Sequence, residues 1–433
     1  FTLAVTMPSA AGLGGGGICL VRDPENETVE TLDFLGQPSS GAGRRVMVPG
    51  NARGIFALHA KFGKFQWREV VRPAENLARF GDTVSRAFAA DLKRAQMVLA
   101  SGDGGPFLDA AGRVVGERTR IAQPDLAATL SQIRARGGAV MYTGLAGARL
   151  ADEAQRLGFG LTHRDLEAAT PVWRSTLRVR FIKQTSLHFP MPRTPAGTLG
   201  AKAVAMLVAE GSFKNTTGAA RAHLFAEATQ RALADGAAGF YTVKSERDIM
   251  KKTTARKKIT VNHTILNKDY AERLMAGFRT DRLTELAIAG RESLPAGDPG
   301  GATSFTVLDN NGGAVACAFT MNGPFGTGRA VPGTGIYLAS YPDSPAARDL
   351  SLGAVIVDQD FGNKLFLIGA AAGGVASQTV VSEIGLSAAY DAARTIDDEV
   401  AAKARVYRDL AGRTTYVETG APAALVDGLR QRG

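Results

Sequence analysis

The chain has 433 residues, 45% of them hydrophobic, a formal net charge of +10 and two cysteines. This composition excludes a disordered protein, and the length suffices to bury a large core. Because no apolar run approaches the roughly 18 residues that cross a bilayer, we expect no transmembrane helix in this chain.

The predicted elements begin with strands and continue with helices. β-branched and apolar residues predict strands at residues 2–7 and 18–21, and helical spacing predicts two helices between residues 48 and 96. Further amphipathic helices are predicted at residues 126–136, 146–157, 218–237 and 266–277. The middle of the chain is therefore predicted to be helical.

From residue 302 onward the pattern changes to hairpins. The segments ATSFTVLD at 302–309 and AVACAFTMN at 314–322 flank an Asn-Asn-Gly-Gly turn, a pattern typical of two strands joined tightly. A second hairpin is predicted at residues 355–368, after which Gly373 and Gly374 open a helix. Strands at both ends with helices between them predict one α+β body whose terminal parts share a core.

Several residue types suggest chemistry that their context argues against. Residues 12–17 formally fit the nucleotide motif G-x-G-x-x-G, but a strand continues where that motif requires a helix. The five histidines are scattered singly, so we expect neither a metal site nor a cofactor. Cys19 and Cys317 each lie in an apolar, strand-like run, which favours two buried free thiols over a disulfide.

A basic segment occupies residues 241–260. It has seven Lys or Arg residues against two acidic ones, a net 7 − 2 = +5, which is half of the chain's excess charge. We favour a solvated loop, and the alternative is a contact surface for an acidic protein or another anionic surface. Nucleic acid is not expected, because no aromatic residues are interleaved to stack on bases. The basic residues proposed for such contact are Lys251, Lys252, Arg256, Lys257 and Lys258.

Motifs spread over most of the chain closely resemble, in the same order, those of the γ-glutamyltranspeptidase family. They are SAAGLGGGG at 9–17, VPGNARG at 48–54, FGKFQW at 62–67, YTG at 142–144, LTHRDL at 161–166, His223 with Glu227, FGTG at 325–328, VPGTGI at 331–336 and the hairpin from residue 302. The resemblance implies an N-terminal-nucleophile hydrolase fold, an αββα four-layer sandwich. It also implies a periplasmic or exported protein.

In this family the chain cuts itself and exposes an N-terminal threonine. The resemblance divides this chain into a large-subunit-like region at residues 1–301 and a small-subunit-like region at residues 302–433. We expect the two regions to form one uncleaved unit, because the residue at the expected cut is Ala302.

The nucleophile position falls on Ala302, which has no hydroxyl. Thr303 is a poor substitute because strand side chains alternate, so its hydroxyl faces the opposite side of the sheet. Ser304 recovers the correct face but lies about 7 Å along the strand, at about 3.3 Å per residue.

The substrate-binding positions of the family also differ in this chain. Leu35 replaces the arginine of the pattern Asp-Phe-Arg, whose guanidinium is expected to hold the substrate's α-carboxylate. The position that binds the α-amine falls on Ser344, with Asp343 as a misplaced substitute, and a following pair of serines is matched by Asp349 and Leu350. Nucleophile, carboxylate clamp and amine anchor are thus all altered.

Other family positions are retained. Thr320 and Asn322 match residues that support the nucleophile and contact the substrate, and Gly373 and Gly374 resemble the backbone amides of the oxyanion hole. Each also has a structural explanation, namely closing a hairpin or starting a helix. Both explanations stay open at this point.

These observations lead to three hypotheses. The first is a family member without peptidase chemistry that acts as a binding or structural component of a larger assembly. The second is an active γ-glutamyl or amide hydrolase or transferase that uses Thr303 or Ser304 after self-cleavage. The third is a small-molecule binding protein that reuses the old cleft for a ligand less anionic than a glutamyl group, because Leu35 replaces the arginine.

Overall fold

The computed structural model describes the chain except for residues 103, 183, 192–194, 240–266, 287–299, 343–351, 360–363, 375, 391–394, 403–404 and 409–413. The helices of the described part are α1 (Thr2–Thr6), α2 (Pro8–Ala11), α3 (Asn51–Phe62), α4 (Trp67–Phe80), α5 (Arg86–Ala100), α6 (Pro124–Arg136), α7 (Gly144–Arg156), α8 (His163–Ala168), α9 (Pro195–Glu210), α10 (Gly218–Gly239), α11 (Lys268–Met275), α12 (Ser377–Tyr390), α13 (Ile396–Ala401) and α14 (Ala423–Arg430). The strands are β1 (Gly16–Asp23), β2 (Thr28–Asp33), β3 (Asp82–Thr83), β4 (Arg120–Ile121), β5 (Val172–Ser175), β6 (Leu177–Ile182), β7 (Thr185–Phe189), β8 (Ala302–Leu308), β9 (Ala314–Thr320), β10 (Ala330–Val331), β11 (Ile336–Tyr337), β12 (Leu352–Gln359), β13 (Leu365–Ala372), β14 (Val406–Arg408) and β15 (Thr415–Val417).

Two antiparallel sheets form the centre of the fold. The first sheet has the strand order β5-β2-β1-β9-β8, and the second has the order β13-β12-β7-β6. Apolar side chains of β1 and β9, including Leu20 and Ala316, pack against Ala354 and Ile356 of β12. The two sheets therefore face each other across an apolar interior. The first sheet combines strands from both ends of the chain, and the second combines strands from its middle and its C-terminal part.

Helices cover the outer faces of both sheets. On the first sheet, Cys317 and Phe319 pack with Leu3 of α1 and Leu58 of α3. On the second sheet, α9, α10, α11 and α12 bury a large cluster that includes Leu199, Phe225, Met275, Val355 and Leu386. This arrangement of helices, two sheets and helices confirms the α+β class and the αββα four-layer sandwich.

Glycines in the segment before β1 allow neighbouring backbones to approach closely. A Cβ at Gly14 would lie 2.0 Å from the carbonyl oxygen of Tyr337, and a Cβ at Gly17 would lie 2.5 Å from that of Ala318. Neither glycine has a positive φ, so backbone contact, and not turn geometry, requires them. β1 continues directly from this segment as a strand, with no helix at the position that a nucleotide motif would need.

Two predictions of local structure are wrong or incomplete. Residues 2–7 form helix α1 rather than a strand, because Ala4 and Val5 pack into a buried cluster with Val71 and Ala74 of α4. A short apolar run does not distinguish a strand from a buried helix. Residues 48–96 contain parts of three helices where two were predicted.

The middle of the chain also contains strands that the sequence did not indicate. β5, β6 and β7 occupy residues 172–189, where the chain joins the edges of both sheets. In β6 the buried Leu177 and Val179 alternate with the exposed Arg178 and Arg180, which is the period of a strand. The prediction of a helical middle is therefore corrected.

The prediction of two free thiols is wrong, because Cys19 and Cys317 form a disulfide. They are direct cross-strand partners on β1 and β9, with a Cα–Cα distance of 4.1 Å. Both lie on the outer face of the first sheet and are buried. Because their sequence separation is 298, only the strand register brings them together.

Among the helices that the structure describes, none is both long and apolar enough to cross a membrane. The same part of the chain brings no three His, Cys, Asp or Glu residues together in a way that could hold a metal ion.

Candidate functional site

Ala302 begins β8 and lies directly opposite Thr320 of β9. Two residues with positive φ precede it, Gly300 and Gly301, both at +75°. A Cβ at Gly301 would lie 2.2 Å from the carbonyl carbon of Gly323, so this position has space only for glycine. The peptide bond between residues 301 and 302 is thus preceded by two residues in the left-handed region and packs closely against the backbone of Gly323.

The carbonyl group of Gly301 is the group that a nucleophilic side chain at position 302 would attack during self-cleavage. The Met321 N–H donates a hydrogen bond to its oxygen at 2.7 Å. The Thr320 hydroxyl lies 3.4 Å from the same oxygen and 3.3 Å from Oδ1 of Asn322, and it has one proton to donate. Donors on this oxygen would stabilise negative charge developing there, so this part of the arrangement suits an acyl transfer.

Asn322 is held firmly next to Thr320. Its backbone N–H donates to the Thr320 hydroxyl oxygen at 2.9 Å, and its Nδ2 donates to the carbonyl oxygen of Ser340 at 3.0 Å. Its φ of +54° lies in the left-handed region, which asparagine tolerates better than most residues. The two retained polar residues therefore also close the hairpin, as their structural explanation requires.

The side chain of Ala302 packs against an apolar cluster between the two sheets. The buried members of this cluster are Ile18, Leu35, Ala318 and Leu352, and Ala372 packs against it from the end of β13. The structure thus brings together the nucleophile position and the carboxylate-clamp position that the sequence indicated. Neither Ala302 nor Leu35 supplies a hydroxyl or a guanidinium to this place.

Thr303 and Ser304 lie on opposite faces of β8. Thr303 is opposite Phe319, whose ring stacks on that of Phe305 at 5.7 Å on the outer face of the first sheet. Ser304 is opposite Ala318, on the inner face that Ala302 shares. This register follows the alternation expected from the sequence.

Gly373 and Gly374 connect the end of β13 to α12, next to Ala372 of the cluster around Ala302. Their φ values are +113° and +69°, which only glycine adopts readily. Their carbonyl oxygens accept hydrogen bonds from the Ser377 hydroxyl at 2.8 and 2.9 Å. The turn geometry by itself accounts for both glycines, whether or not their amides ever bind an oxyanion.

The whole chain, residues 1–433, matches the model of the family described as gamma-glutamyltranspeptidase. The chain belongs to the γ-glutamyltranspeptidase family. It is 28% identical over 382 residues to the glutathione hydrolase proenzyme of Pseudomonas aeruginosa, covering 80% of this chain and 63% of that protein. It is 26% identical over 372 residues to the glutathione hydrolase proenzyme of Escherichia coli, covering 80% and 62%. The chain thus spans a little under two thirds of the length of these relatives.

Solved structures show the same fold. The cephalosporin acylase from Bacillus halodurans has a TM-score of 0.75 at 18% identity, covering 100% of this chain and 82% of that one. The Helicobacter pylori γ-glutamyltranspeptidase has a TM-score of 0.55 at 22% identity, covering 65% and 84%. The N-terminal-nucleophile hydrolase fold that the sequence motifs implied is confirmed.

Several family positions lie outside the described residues. These are the amine-anchor positions Asp343 and Ser344 and the paired-serine positions Asp349 and Leu350. The basic residues proposed for partner contact, which are not family positions, also lie outside the described residues: Lys251, Lys252, Arg256, Lys257 and Lys258. Their roles stay predictions from the sequence.

A cavity of about 200 Å³ opens beside the family's clamp position. Leu35, Gly36 and Gln37 line one side of it, and Pro49, Gly50 and residues 168–172 line the rest. Among the described lining residues there is no charged side chain. A carboxylate placed here would lose its hydration without gaining a cation, which is unfavourable.

Sequence reasoning missed the two features that surround position 302. One is the Met321 amide on the Gly301 carbonyl, which no side-chain motif marks. The other is the Cys19–Cys317 disulfide, which joins β1 to β9 three residues before Thr320, the cross-strand partner of Ala302. Two cysteines in strand-like runs gave a signal for the second feature, but their pairing needed the register.

Proposed function

We propose that this member of the γ-glutamyltranspeptidase family carries out no peptidase chemistry at the family's site and acts as a binding or structural component of a larger assembly. The observation that carries the proposal is the packing of Ala302 into the same apolar cluster as Leu35. The position of the nucleophile and the position of the carboxylate clamp meet there, and both are aliphatic.

The neighbouring hydroxyls do not restore the chemistry. A nucleophile of this superfamily uses a hydroxyl on the residue whose own α-amine acts as the base. Thr303 faces the opposite side of the sheet with Phe319, and Ser304 is displaced along β8 by about 7 Å. The Gly301 carbonyl and the hydrogen-bond donors on its oxygen are thus present, but residue 302 offers no group that could attack this carbonyl.

The basic segment at residues 241–260 is the proposed contact surface. Its net charge of 7 − 2 = +5 would attract an acidic face of a partner protein at long range. Replacing Lys251, Lys252, Arg256, Lys257 and Lys258 by glutamine should abolish capture of that partner from native extract. An unchanged set of captured proteins would argue against this surface.

The disulfide supports an exported or periplasmic location. Disulfides persist in oxidising compartments and are rare in a reducing cytosol. Because Cys19 and Cys317 are buried cross-strand partners, we propose that the chain folds where this bond can form. Labelling of free thiols in freshly lysed, unfolded protein tests this, and two reactive thiols per chain would contradict it.

The first experiment is the intact mass of the purified protein after reduction, with incubation on a chromogenic γ-glutamyl anilide. Reduction is essential, because the disulfide would hold residues 1–301 and 302–433 together after a cut. One species of 45.4 kDa without release of the aniline supports the proposal. A cut next to Thr303 or Ser304 with turnover would establish the active hydrolase or transferase instead.

A second candidate function is binding of a small uncharged molecule in the old cleft. The cavity of about 200 Å³ beside Leu35, with no charged residue among its described lining, favours this function. A thermal-shift screen of neutral and anionic compounds separates the two chemistries. Stabilisation by anionic glutamyl compounds alone would exclude this candidate.

A further inference from the structure

A second pocket lies in the outer helical layer, away from the interior of the sandwich. It has a volume of about 130 Å³ and is formed by α10, α12, α13 and the residues before β14. We call it the charged pocket, because its lining includes Arg221, Glu383, Glu399 and Arg405. Val381 and Leu386 of α12 pack in the core of the second sheet, while Glu383 lines the pocket.

The two arginines of the charged pocket differ in their bonding. Arg405 is committed to structure, since it pairs with Glu418 at 2.6 Å and donates to the Val400 carbonyl oxygen at 2.7 Å. Arg221 donates only its Nε, to the Thr216 carbonyl oxygen at 2.6 Å, among the residues that the structure describes. Its terminal NH₂ groups are thus available to an acceptor in the pocket.

Arg221 is also held in position. Its guanidinium carbon lies 5.1 Å from the centre of the Phe213 ring, a cation–π distance. With Nε bonded and the planar group stacked, little conformational entropy would be lost on binding a ligand. Such a guanidinium is suited to a carboxylate, which it binds through two parallel hydrogen bonds.

Glu383 supplies a hydrogen-bond acceptor for a cationic group in the same pocket. Its Oε2 is buried and has no hydrogen-bond partner in the described part of the chain. A buried polar atom without a partner is costly and uncommon in folded proteins. Burial, with a smaller contribution from the Glu399 carboxylate, raises the pKa of this carboxyl to about 8 against the opposing effect of Arg221 and Arg405. A cationic donor in the pocket would satisfy Oε2 and return the group to its charged form.

We propose that the charged pocket binds a small zwitterion, a free α-amino acid, with its ammonium on Glu383 and its carboxylate on Arg221. The pocket provides one unsatisfied acceptor and one set of unused donors in a single cavity of about 130 Å³. Such a volume corresponds to about four water molecules at about 30 Å³ each, which suits only an amino acid with a short side chain. The site is separate from position 302, so the proposal does not depend on the lost peptidase chemistry.

Binding should release a proton. Glu383 faces Arg221 from α10, Glu399 from α13 and Arg405 from the segment before β14, with Ser387 on its own helix. Because an ammonium favours the ionised carboxylate, affinity should increase as the pH is raised from 6 to 8.

Isothermal titration calorimetry of the full chain with glycine and L-alanine tests the proposal, with acetate and methylammonium as single-charge probes. We expect each amino acid to bind at least about tenfold more tightly than either single-charge probe, the equivalent of one charge-assisted hydrogen bond. Equal affinity for acetate and glycine would overturn the proposal. The absence of binding heat when the amino acid is in 10-fold to 100-fold excess over a Kd of about 1 mM would overturn it as well.

Two variants and a matched control locate the site. Glu383→Gln and Arg221→Gln should each weaken glycine binding about tenfold or more. Asp397→Asn removes an exposed charge from α13 and should leave binding unchanged. Thermal unfolding checks that each variant is folded. Because Glu383→Gln keeps the shape and removes no ion pair that the structure describes, wild-type affinity in this variant would refute the assignment.

Discussion

Ala302 and Thr320 face each other across the first residue pair of β8 and β9, and the Thr320 hydroxyl lies 3.4 Å from the carbonyl oxygen of the preceding Gly301. The Met321 N–H also donates a hydrogen bond to this oxygen at 2.7 Å. The carbonyl group that a self-cleavage reaction would attack is therefore held in place. The attacking hydroxyl is the part that residue 302 does not provide. This contrast leads to the first prediction.

Ala302→Thr should restore cleavage of the chain before residue 302. The new hydroxyl would lie next to a carbonyl whose oxygen already accepts hydrogen bonds, which stabilise the charge that develops on attack. We expect fragments of residues 1–301 and 302–433 by mass spectrometry after reduction. We expect no turnover of a γ-glutamyl anilide, because Leu35 still provides no guanidinium.

Ala302→Val is the matched control for this experiment. Valine has the shape of threonine without the hydroxyl, so this variant should stay at about 45.4 kDa like the wild type. If Ala302→Thr is folded and stays intact for days, the arrangement around Gly301 is insufficient and the prediction is wrong.

Thr320→Val should destabilise the fold by about 1–3 kcal/mol. Thr320 is 3% exposed, and its hydroxyl oxygen accepts the Asn322 N–H at 2.9 Å, so the valine leaves a buried donor without a partner. Thr320→Ser keeps the hydroxyl, loses only the methyl group and should lose clearly less stability. Urea unfolding measures both, and a loss in Thr320→Ser as large as that in Thr320→Val would show that the methyl packing contributes as much as the hydrogen bond.

Gly14→Ala should cost about 1–3 kcal/mol or more, because its Cβ would lie 2.0 Å from the Tyr337 carbonyl oxygen. Gly116→Ala is the control, since a Cβ there meets no atom within 4 Å and its φ is not positive. The control should be neutral or stabilising by up to about 1 kcal/mol. Similar melting temperatures for the two variants would contradict the close backbone contact at Gly14.

Removing the disulfide with Cys19→Ala and Cys317→Ala should lower the free energy of unfolding by about 2–5 kcal/mol. The bond closes a long loop, with a sequence separation of 298 between its ends, and so restricts the unfolded chain. Urea unfolding of the double variant and of the reduced wild type should give the same loss. A reduced wild type as stable as the oxidised protein would show that the bond does not contribute.

Stability should decrease as the pH increases from about 4.5 to about 8. In the native state the pKa of Glu383 is raised from 4.5 to about 8 by burial and by Glu399. Across this interval the unfolded chain has lost the proton while the native chain keeps it, so unfolding becomes more favourable as the pH is raised. Above the native pKa both states have lost this proton, so Glu383 causes no further decrease in stability.

Glu383→Gln isolates this contribution. The variant should show a flatter pH dependence between pH 5 and pH 8 and greater stability than the wild type at pH 8, because glutamine cannot ionise. Denaturant unfolding at several pH values measures the difference. Parallel curves for the two proteins would mean that Glu383 titrates normally.

The hairpins were predictable because residues close together in the sequence specify them. The alternation at residues 302–308 and the Asn-Asn-Gly-Gly turn predicted β8 and β9, and the turn is indeed closed by Asp309, whose Oδ1 accepts the Asn311 and Gly313 N–H groups at 2.8 Å. The helix at residues 126–136 follows the same logic, since its apolar spacing places Leu126, Leu130 and Ile133 on the buried face.

Other elements depended on contacts that lie far away in the sequence. The segment at residues 2–7 forms a helix because its apolar side chains pack on α4. Such a short apolar run shows no periodicity that would distinguish a helix from a strand. β5 to β7 were missed because they lie between predicted helices, although β6 shows a clear alternation. Tertiary packing therefore decided the first case, whereas in the second case the local signal was present and was not used.

The sequence by itself placed an alanine and a leucine at the positions that the family resemblance assigns to the nucleophile and the carboxylate clamp, because residue identity and motif order need no coordinates. It also determined the family and hence the layers of the fold. Only the tertiary structure decided that Ala302 and Leu35 share one apolar cluster, that Cys19 and Cys317 pair, and that Glu383 meets Arg221 in a pocket. These relationships join residues separated by more than a hundred positions, and strand register and helix packing set them only when the whole chain buries its apolar surface.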